Sequence, residues 1–507
     1  MIISLSVLVI TIIVSGTYAL YKAQLSKNIG VNTTTHGLAY YINYVKGTDI
    51  TAATLNPSTS YEGGASSDIE FWKKDDSYDI YGKIELTVNT IGTNLSNSPA
   101  LKYAVVNNGN VLKEGSLKGT TSGSKVTILK NLYLEQTKQI YTVYVWLDNS
   151  EELGNISNES LSISVDCTAS LQKEPTAADT IISLYTSAAK VTATNNSITY
   201  NTAPSVSLMN DRLGGTTTSL DGGNIRYYGA SPNNYIYFNC SDYSNQTSST
   251  CETWRIIGVF DGKLKLIRGS QIGTYSWDNK NTSTGAENDA GKNDWTTARL
   301  MKLLNPRDYY KVDSNDNNLG QSLYYNSASG KCYSGQNNAT VDCDFTSTGI
   351  KNDETRNMIA ETTYYLGGWN SYSVYPNEIY EYERGTTVYT GRPPTWPGKI
   401  ALAYPSDYGY AADLNQCKDK TLYDYDNSTC TSNNWMKAIL GTSSHGWLLT
   451  PRSGGSYNAW NVYSGGYVGS TYLAYYAIGA VPVLSLSSKL GIESGDGSSS
   501  NPYKLSA

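Results

Sequence analysis

Six of the seven cysteines fall in closely spaced pairs, and this spacing predicts local disulfide bonds. The pairs are separated by 11, 11 and 13 residues, and each brackets a loop rich in Asn, Ser, Asp and Thr. No C-x-x-C spacing occurs, which disfavours zinc-ribbon and thioredoxin-like sites. In an oxidising compartment, closing each loop would contribute about 3 kcal/mol. The predicted bridges are Cys240–Cys251, Cys332–Cys343 and Cys417–Cys430, which leaves Cys167 as a buried thiol.

No residue pattern in the chain indicates catalysis, metal binding or cofactor binding. His36 and His445 are the two histidines, and neither G-x-S-x-G nor H-E-x-x-H occurs. Acidic residues at 342–344 and 378–383 are explained more simply as solvated loop charges than as the carboxylate pair of a glycosidase. The E-P-N and Q-P-D runs that bind calcium in some lectins are absent. We therefore predict no catalytic residue, no metal site and no cofactor.

Aromatic residues in loop-rich regions are the candidates for ligand binding. The chain has 44 Tyr and 4 Phe, and a tyrosine combines a ring that packs with a hydroxyl that stays hydrated. An AT-rich genome would enrich Tyr and Asn as well, so composition alone leaves both explanations open. We expect an exposed binding face near residues 460–467. The candidate binding residues are Trp460, Tyr463, Tyr467, Trp369, Trp396 and Arg452.

Length and charge bound the possible partners. A chain of 507 residues exceeds one compact core and predicts two to four domains. The net charge is −6, only 16% of residues are charged, and no block of Lys and Arg occurs. These values argue against nucleic acid as a partner.

The N-terminus carries an apolar segment typical of export. Residues 2–14 are almost purely apolar, which suits a signal-peptide core, and residues 1–21 together are long enough for a retained membrane anchor. Lys22 and Lys27 follow this segment and no basic residue precedes it, so we expect the true start to lie upstream. The predicted location is extracellular or at the cell surface, with membrane contact only through this segment.

Residues 30–170 predict an all-β sandwich. Alternating apolar and polar residues mark strands at 83–88, 101–106, 126–129, 141–147 and 161–165. Asn108-Gly109 joins two of them and favours a type I′ hairpin turn. Residues 171–225 predict a linker and a segment that wraps the next domain, with a short helix over 177–189.

Residues 226–507 predict an α+β domain with long disulfide-tied loops. Asp261-Gly262 predicts a second tight hairpin. Helices are expected over 294–304, capped by Asp294, and over 353–365. Many short strands and long loops surround them, and loops of this length are commonly functional or tied down.

The first domain resembles a known family of exported proteins. The runs GTYALYKAQLS (16–26), KIELTVNT (83–90), LKYAVV (101–106) and QIYTVYVWLD (139–148) are similar to camelysin and biofilm-matrix fibre proteins. The resemblance implies a jelly-roll-like sandwich and an N-terminal strand donated to a neighbouring subunit. Residues 20–31, from Leu20 to Val31, would be that strand and would allow self-assembly. A metallopeptidase label in this family is not carried over, because His36 stands alone in this region.

The second domain resembles a family of uncharacterised bacterial surface domains with a fold similar to C-type lectins and formylglycine-generating enzymes. The matching runs are WRII (254–257), NDWxxARLM (293–301), WLLTP (447–451) and GAVPVLSL (479–486). Thr450 and Val481 stand where that family has arginines, although Arg452 follows closely. Those arginines either form an internal pair or touch ligand, and their loss changes one or the other.

Three function classes follow from these observations. We expect a non-catalytic surface protein that acts in adhesion or ligand binding, with a glycan or a protein receptor on host or neighbouring cells as partner. The alternative is a structural subunit of an extracellular fibre or biofilm matrix. A carbohydrate-active or oxidative enzyme is the third class, for which the sequence offers no set of reactive residues.

Overall fold

The computed structural model describes residues 23–25, 41–51, 55–156, 158–212, 223–280, 289–311, 320–332, 341–442 and 445–506. The chain forms two compact units that meet in sequence between Glu174 and Pro175. The predicted signal or anchor, residues 1–21, lies outside the described residues. Among the helices that are described, none is long and apolar enough to cross a membrane.

The first unit is built almost entirely from strands, with one short α-helix and a 3-10 turn, Tyr61–Gly63, among its described residues. The helix is α1, Thr93–Asn97. The strands are β1 Ala23–Leu25, β2 Ile42–Val45, β3 Ile50–Thr51, β4 Pro57–Ser58, β5 Ala65–Lys73, β6 Tyr81–Ile91, β7 Leu101–Asn107, β8 Asn110–Ser116, β9 Lys125–Tyr133, β10 Ile140–Asp148 and β11 Leu161–Ser170.

These strands form two sheets around one hydrophobic core. One sheet has the order β1-β11-β6-β9 with β3 on β11, and the other has the order β2-β5-β10-β7-β8 with β4 on β10. Buried and half-buried residues alternate along most of β6, so that Ile84, Leu86 and Val88 point inward. They pack in the same core as Val143 and Val145 of the opposite sheet. The alternation predicted from the sequence thus produces a two-sheet, β-rich unit.

The hairpin predicted at Asn108-Gly109 is confirmed. Both residues have positive φ, 50° and 75°, and they join β7 to β8. A type I′ turn requires this conformation at both central residues, and Asn and Gly adopt it at the lowest cost. Asp261 and Gly262 show the same pair of angles, 48° and 70°, in the second unit.

Strand β1 lies inside the segment predicted to be donated to a neighbour. It pairs antiparallel with β11 of the same chain, with Ala23 opposite Ala169 and Leu25 opposite Cys167. β1 is the edge strand of its sheet. The other residues of the predicted donor segment lie outside the described part of the chain.

The second unit contains most of the helices that the structure describes. They are α2 Ala177–Ser187, α3 Arg299–Leu304, α4 Asp353–Met358, α5 Pro376–Arg384, α6 Pro405–Tyr410, α7 Ser428–Ser432 and α8 Lys437–Leu440. Its strands are β12 Val191–Asn195, β13 Ile198–Ala203, β14 Leu208–Asn210, β15 Ile225–Tyr227, β16 Tyr235–Phe238, β17 Glu252–Phe260, β18 Lys263–Arg268, β19 Thr274–Ser276, β20 Ser329–Cys332, β21 Val341–Asp344, β22 Thr362–Tyr365, β23 Thr395–Gly398, β24 Ile400–Ala401, β25 Gly446–Pro451, β26 Asn458–Val462, β27 Val468–Leu473, β28 Ala477–Gly479, β29 Val483–Ser485, β30 Gly491–Ser494 and β31 Lys504–Ser506.

Two larger sheets organise the second unit. A nine-stranded antiparallel sheet has the order β12-β13-β14-β15-β17-β18-β29-β24, with β16 on β17. A five-stranded sheet has the order β19-β28-β25-β26-β27, in which β25 and β28 run parallel. The early segment of this unit, predicted as a linker, is folded where it is described. Helix α2 begins at a capping box formed by Thr176 and Asp179, and β12, β13 and β14 extend the large sheet.

Two predicted helices differ from the observed elements. The first begins as a 3-10 turn, Trp295–Thr297, capped by the Asp294 side chain as expected, and becomes α-helical only in α3. The second ends with α4, and Thr362–Tyr365 form β22, which pairs with β23. Thr and Tyr favour strands over helices, and here this preference prevails over the apparent helical pattern.

Candidate binding surface

The structure brings seven tyrosines and one histidine of the second unit into a continuous series of ring contacts, which we call the tyrosine row. Tyr463 and Tyr467 lie on either side of the turn between β26 and β27. Tyr472 belongs to β27, and Tyr475 and Tyr476 follow it. The full set is Tyr372, Tyr423, Tyr467, Tyr463, His445, Tyr472, Tyr476 and Tyr475.

The centre of the row is a stacked pair. The rings of Tyr463 and Tyr467 are nearly parallel, with 4.2 Å between their centroids. Tyr472 meets Tyr463 edge-on at 5.2 Å, and Tyr423 meets Tyr467 edge-on at 5.6 Å. Offset and edge-to-face contacts at these distances are favourable, each by about 0.5–1.5 kcal/mol beyond area burial. The rings therefore support one another's positions.

Exposure is greatest near the two ends of the row. Tyr423 has 46% of its surface exposed and Tyr476 has 39%, whereas the rings between them are half-buried. Burial and neighbouring tyrosines raise the pKa of Tyr467 and of Tyr472 above the ordinary value. These phenols therefore stay protonated at neutral pH, and the row offers uncharged rings and hydroxyl groups.

His445 lies between two rings of the row. Its centroid is 4.6 Å from that of Tyr463 and 5.1 Å from that of Tyr472. Its Nδ1 accepts a hydrogen bond of 2.9 Å from the backbone N–H of Ser464, so Nδ1 is unprotonated in this arrangement. Partial burial lowers the pKa of His445, which agrees with a neutral imidazole. The histidine supports the turn and adds no charge to the surface.

The turn that carries the stacked pair depends on glycine. Gly466 has a φ of 102°, and its carbonyl accepts a hydrogen bond of 2.7 Å from the Tyr408 hydroxyl. A Cβ at Gly469 would lie only 2.5 Å from the ring of Tyr463. Glycine at these two positions leaves the space and the backbone freedom that the stacked rings need.

Of the residues predicted from the sequence, only Tyr463 and Tyr467 belong to the row. The predicted exposure of Trp460 is wrong, because this side chain is fully buried in a core with Leu448 and Val468. Every residue of β26 is buried, since the strand runs between β25 and β27. Trp460 therefore supports the sheet beneath the row and is not available to a ligand.

The remaining predicted residues lie outside the row. Trp396 is only 4% exposed and contacts Trp295 and Tyr364, so its predicted exposure is also wrong.

Trp369 is half-buried and stacks on Tyr382 with 4.1 Å between the ring centroids. The Arg452 carbonyl accepts a hydrogen bond from the Asn293 amide. None of the three residues Trp396, Trp369 and Arg452 has a ring or side-chain contact with the row among the described interactions.

The three predicted disulfide bonds are confirmed. They join Cys240 to Cys251, Cys332 to Cys343, and Cys417 to Cys430. Cys167 is free and fully buried in the first unit, where burial raises the pKa of its thiol. The Cys417–Cys430 loop contains Tyr423, so this bond restrains one of the exposed rings of the row.

Thr450 and Val481, the two positions at which the resemblance implies arginines, are both fully buried. Val481 packs in the same core as Trp460. Neither side chain is therefore available to a ligand.

A buried network of charged residues joins the large sheet to the helices, and no local sequence pattern predicts it. Arg226 forms ion pairs with Asp211 and Asp407, and Lys265 forms an ion pair with Asp407. Burial lowers the pKa of Lys265 to about 8, although Asp407 opposes this shift.

Glu383 is another buried ionisable residue of this unit, and it accepts two hydrogen bonds from Ser406. Burial raises the pKa of Glu383 to about 7.

Comparison with known proteins assigns no family to this chain. No family model and no curated protein matches it. A crystal structure described as an HCR/D mutant aligns with 51% of this chain and 76% of its own, at 12% identity and a TM-score of 0.15. A similarity of this size supports no statement about fold or activity, and family membership does not follow from these comparisons.

Proposed function

We propose that this chain is an exported, non-catalytic bacterial surface protein that binds a glycan or a protein receptor through its tyrosine row. The observation that carries the proposal is the continuous series of eight aromatic rings with exposed tyrosines near both ends. Soluble proteins seldom expose contiguous aromatic surface without a partner. Tyrosine rings also provide large contact area with little loss of side-chain freedom.

The chemistry of the row favours an uncharged ligand. Tyrosine faces pack against the C–H surfaces of sugars, and phenol groups donate and accept hydrogen bonds. Burial, the neighbouring tyrosines and Asp426 all act to raise the pKa of Tyr467, so the charge beside the row is acidic. A neutral glycan or an uncharged protein surface fits this environment better than an anionic polymer.

Export is supported by the disulfide bonds. Three bridges close short loops in the second unit, and such bonds form and persist in oxidising compartments. In this proposal the first unit is the jelly-roll-like sandwich of the camelysin and biofilm-matrix proteins. The second unit is the C-type-lectin-like domain that presents the row.

A structural role in a fibre or biofilm matrix is the second candidate, and β1 is the observation that favours it. This short strand forms the edge of its sheet and pairs with β11. If β1 of one molecule replaced β1 of the next, the same hydrogen bonds would link neighbouring subunits. Filaments that form from purified protein and are lost when residues 20–31 are deleted would support this role.

The ligand-binding proposal is tested with a double variant, Tyr423→Ala and Tyr476→Ala, on a panel of neutral and acidic glycans. We expect saturable binding of a neutral glycan by the unmodified protein and its loss in the variant. Both side chains are exposed, so the fold should remain intact, which circular dichroism checks. The matched control is Tyr78→Ala with Tyr133→Ala, two tyrosines of the first unit that are at least as exposed on average as the row pair. Equal binding by both variants would remove the row as the binding surface.

A further inference from the structure

The arrangement of the row also bears on the oxidation chemistry of tyrosine. Removing one electron and one proton from a phenol gives a neutral tyrosyl radical. The proton must reach an acceptor, and water is the acceptor for an exposed phenol. Tyr423 and Tyr476 are the exposed members of the row, whereas Tyr463, Tyr467 and Tyr472 are half-buried.

Ring contact allows an electron vacancy to move within the row. Neighbouring centroids lie 4.2–5.6 Å apart along the series from Tyr372 to Tyr475. Oxidation of any ring in the series can therefore pass to the next ring in contact. The radical collects at the phenols that water can reach as a proton acceptor, and in the row these are the exposed Tyr423 and Tyr476.

We propose that the tyrosine row is a site of oxidative cross-linking, at which Tyr423 or Tyr476 of one molecule couples to an exposed tyrosine of a second copy. The co-reactant is a peroxide used by a heme peroxidase. Each of two phenols loses one electron and one proton. One hydrogen peroxide takes up these two electrons and two protons and becomes two waters. A carbon–carbon bond then forms between the ring positions ortho to the two phenolic oxygens. The hydrogens on those carbons return to the oxygens and restore both phenols. This inference does not depend on which ligand the row binds.

Tyrosines of the first unit provide the contrast. Tyr133 is 46% exposed, as Tyr423 is, but the Lys73 ammonium lies 4.8 Å from its ring centroid and donates a hydrogen bond to its hydroxyl. A positive charge at this distance opposes the removal of an electron. Tyr78 is 44% exposed and contacts the single ring of Tyr41. If exposure alone determined the rate of oxidation, Tyr78 and Tyr133 would be oxidised as readily as the row. In the proposed mechanism they are oxidised less readily, because neither belongs to the row of rings.

The experiment treats the full chain with a heme peroxidase and a limiting amount of hydrogen peroxide. Covalent dimer is measured on reducing gels, dityrosine by its fluorescence, and the linked positions by peptide mass spectrometry. Conservative variants preserve the fold: Tyr423→Phe with Tyr476→Phe removes the two exposed phenols of the row. Tyr78→Phe with Tyr133→Phe is the control.

We expect the row variant to lose most of the covalent dimer and the control variant to retain it. Mapped cross-links should contain Tyr423 or Tyr476. Cross-links shared equally with Tyr78 and Tyr133, or undiminished dimer in the row variant, would show that exposure alone governs the reaction and would overturn the proposal. Absence of any dimer in the unmodified protein would overturn it as well.

Discussion

At the scale of single residues, Glu383 of the second unit is a buried side chain whose protonation depends on folding. It is fully buried, and its carboxylate accepts hydrogen bonds from the backbone and the hydroxyl of Ser406. Burial raises its pKa from 4.5 to about 7, because the charged form is costly away from water. The folded protein therefore holds a proton between these values that the unfolded chain releases.

We predict that Glu383→Gln alters the pH dependence of stability. The contribution of Glu383 to the free energy of unfolding falls as pH rises from about 4.5 to about 7, by on the order of 3 kcal/mol. The oxygen of a glutamine can still accept from the Ser406 N–H, its amide nitrogen can donate to the Ser406 hydroxyl, and the side chain cannot ionise. Urea unfolding at pH 5 and pH 7.5 should thus show a smaller decrease with pH in the variant than in the unmodified protein.

The control for this prediction lies on the same helix. Glu381 is exposed on α5, and Glu381→Gln should leave the difference between the two pH values unchanged. Because His445 titrates equally in all three proteins, its contribution cancels in the comparison. An identical pH dependence in the unmodified protein and in Glu383→Gln would mean that Glu383 is ionised throughout this range.

At the scale of elements, the turn between β26 and β27 determines whether the row forms. Gly466 has a positive φ, and a Cβ there would lie 2.8 Å from the Thr431 methyl group. We predict that Gly466→Ala destabilises the protein by about 1–3 kcal/mol, measured as a lower thermal midpoint.

The neighbouring glycine is a matched control for the turn. A Cβ at Gly465 would lie 3.6 Å from the Tyr467 ring, which is an ordinary contact. We therefore expect Gly465→Ala to retain the thermal midpoint of the unmodified protein. Equal effects of the two substitutions would show that the turn tolerates a side chain and does not depend on the left-handed conformation of Gly466.

Elements whose signals are local could be predicted from the sequence. Asn108-Gly109 and Asp261-Gly262 identify their hairpins because the turn conformation restricts the residue types. The cysteine pairs are also a local signal, because each disulfide bond closes a short loop. The helix predicted over residues 353–365 is too long, because pairing of β22 with β23 depends on residues some 30 positions away.

The candidate site was only partly predictable, because its members converge through long-range pairing. Tyr463 and Tyr467 are close in sequence and were found together. Tyr423 reaches them from a disulfide-bonded loop, and this placement has no local signal. The predicted exposure of Trp460 is wrong because a strand buried on both faces lacks the alternation that distinguishes interior from exterior positions.

At the scale of the whole molecule, each unit has its own hydrophobic core, and the chain passes from one to the other near Glu174. Gln172 and Lys173 are exposed at this point. We predict that brief trypsin treatment under native conditions cleaves after Lys173 and yields two fragments, identified by intact mass. Loss of cleavage in Lys173→Gln would confirm the position, whereas early cleavage within a core strand of either unit would contradict the division.

In the second unit, hydrogen bonds connect residues that are distant in sequence, whereas the disulfide bonds connect residues that are close in sequence. The N–H of Ala177, where the unit begins, donates a hydrogen bond of 2.7 Å to the carbonyl of Leu490. The three disulfide bonds, in contrast, span only 11, 11 and 13 residues. Contacts between distant residues form slowly, because the entropy of closing a long loop is lost before any contact compensates for it. During biosynthesis the cysteine bridges can therefore form on the emerging chain, long before the first helix of this unit meets its last strands.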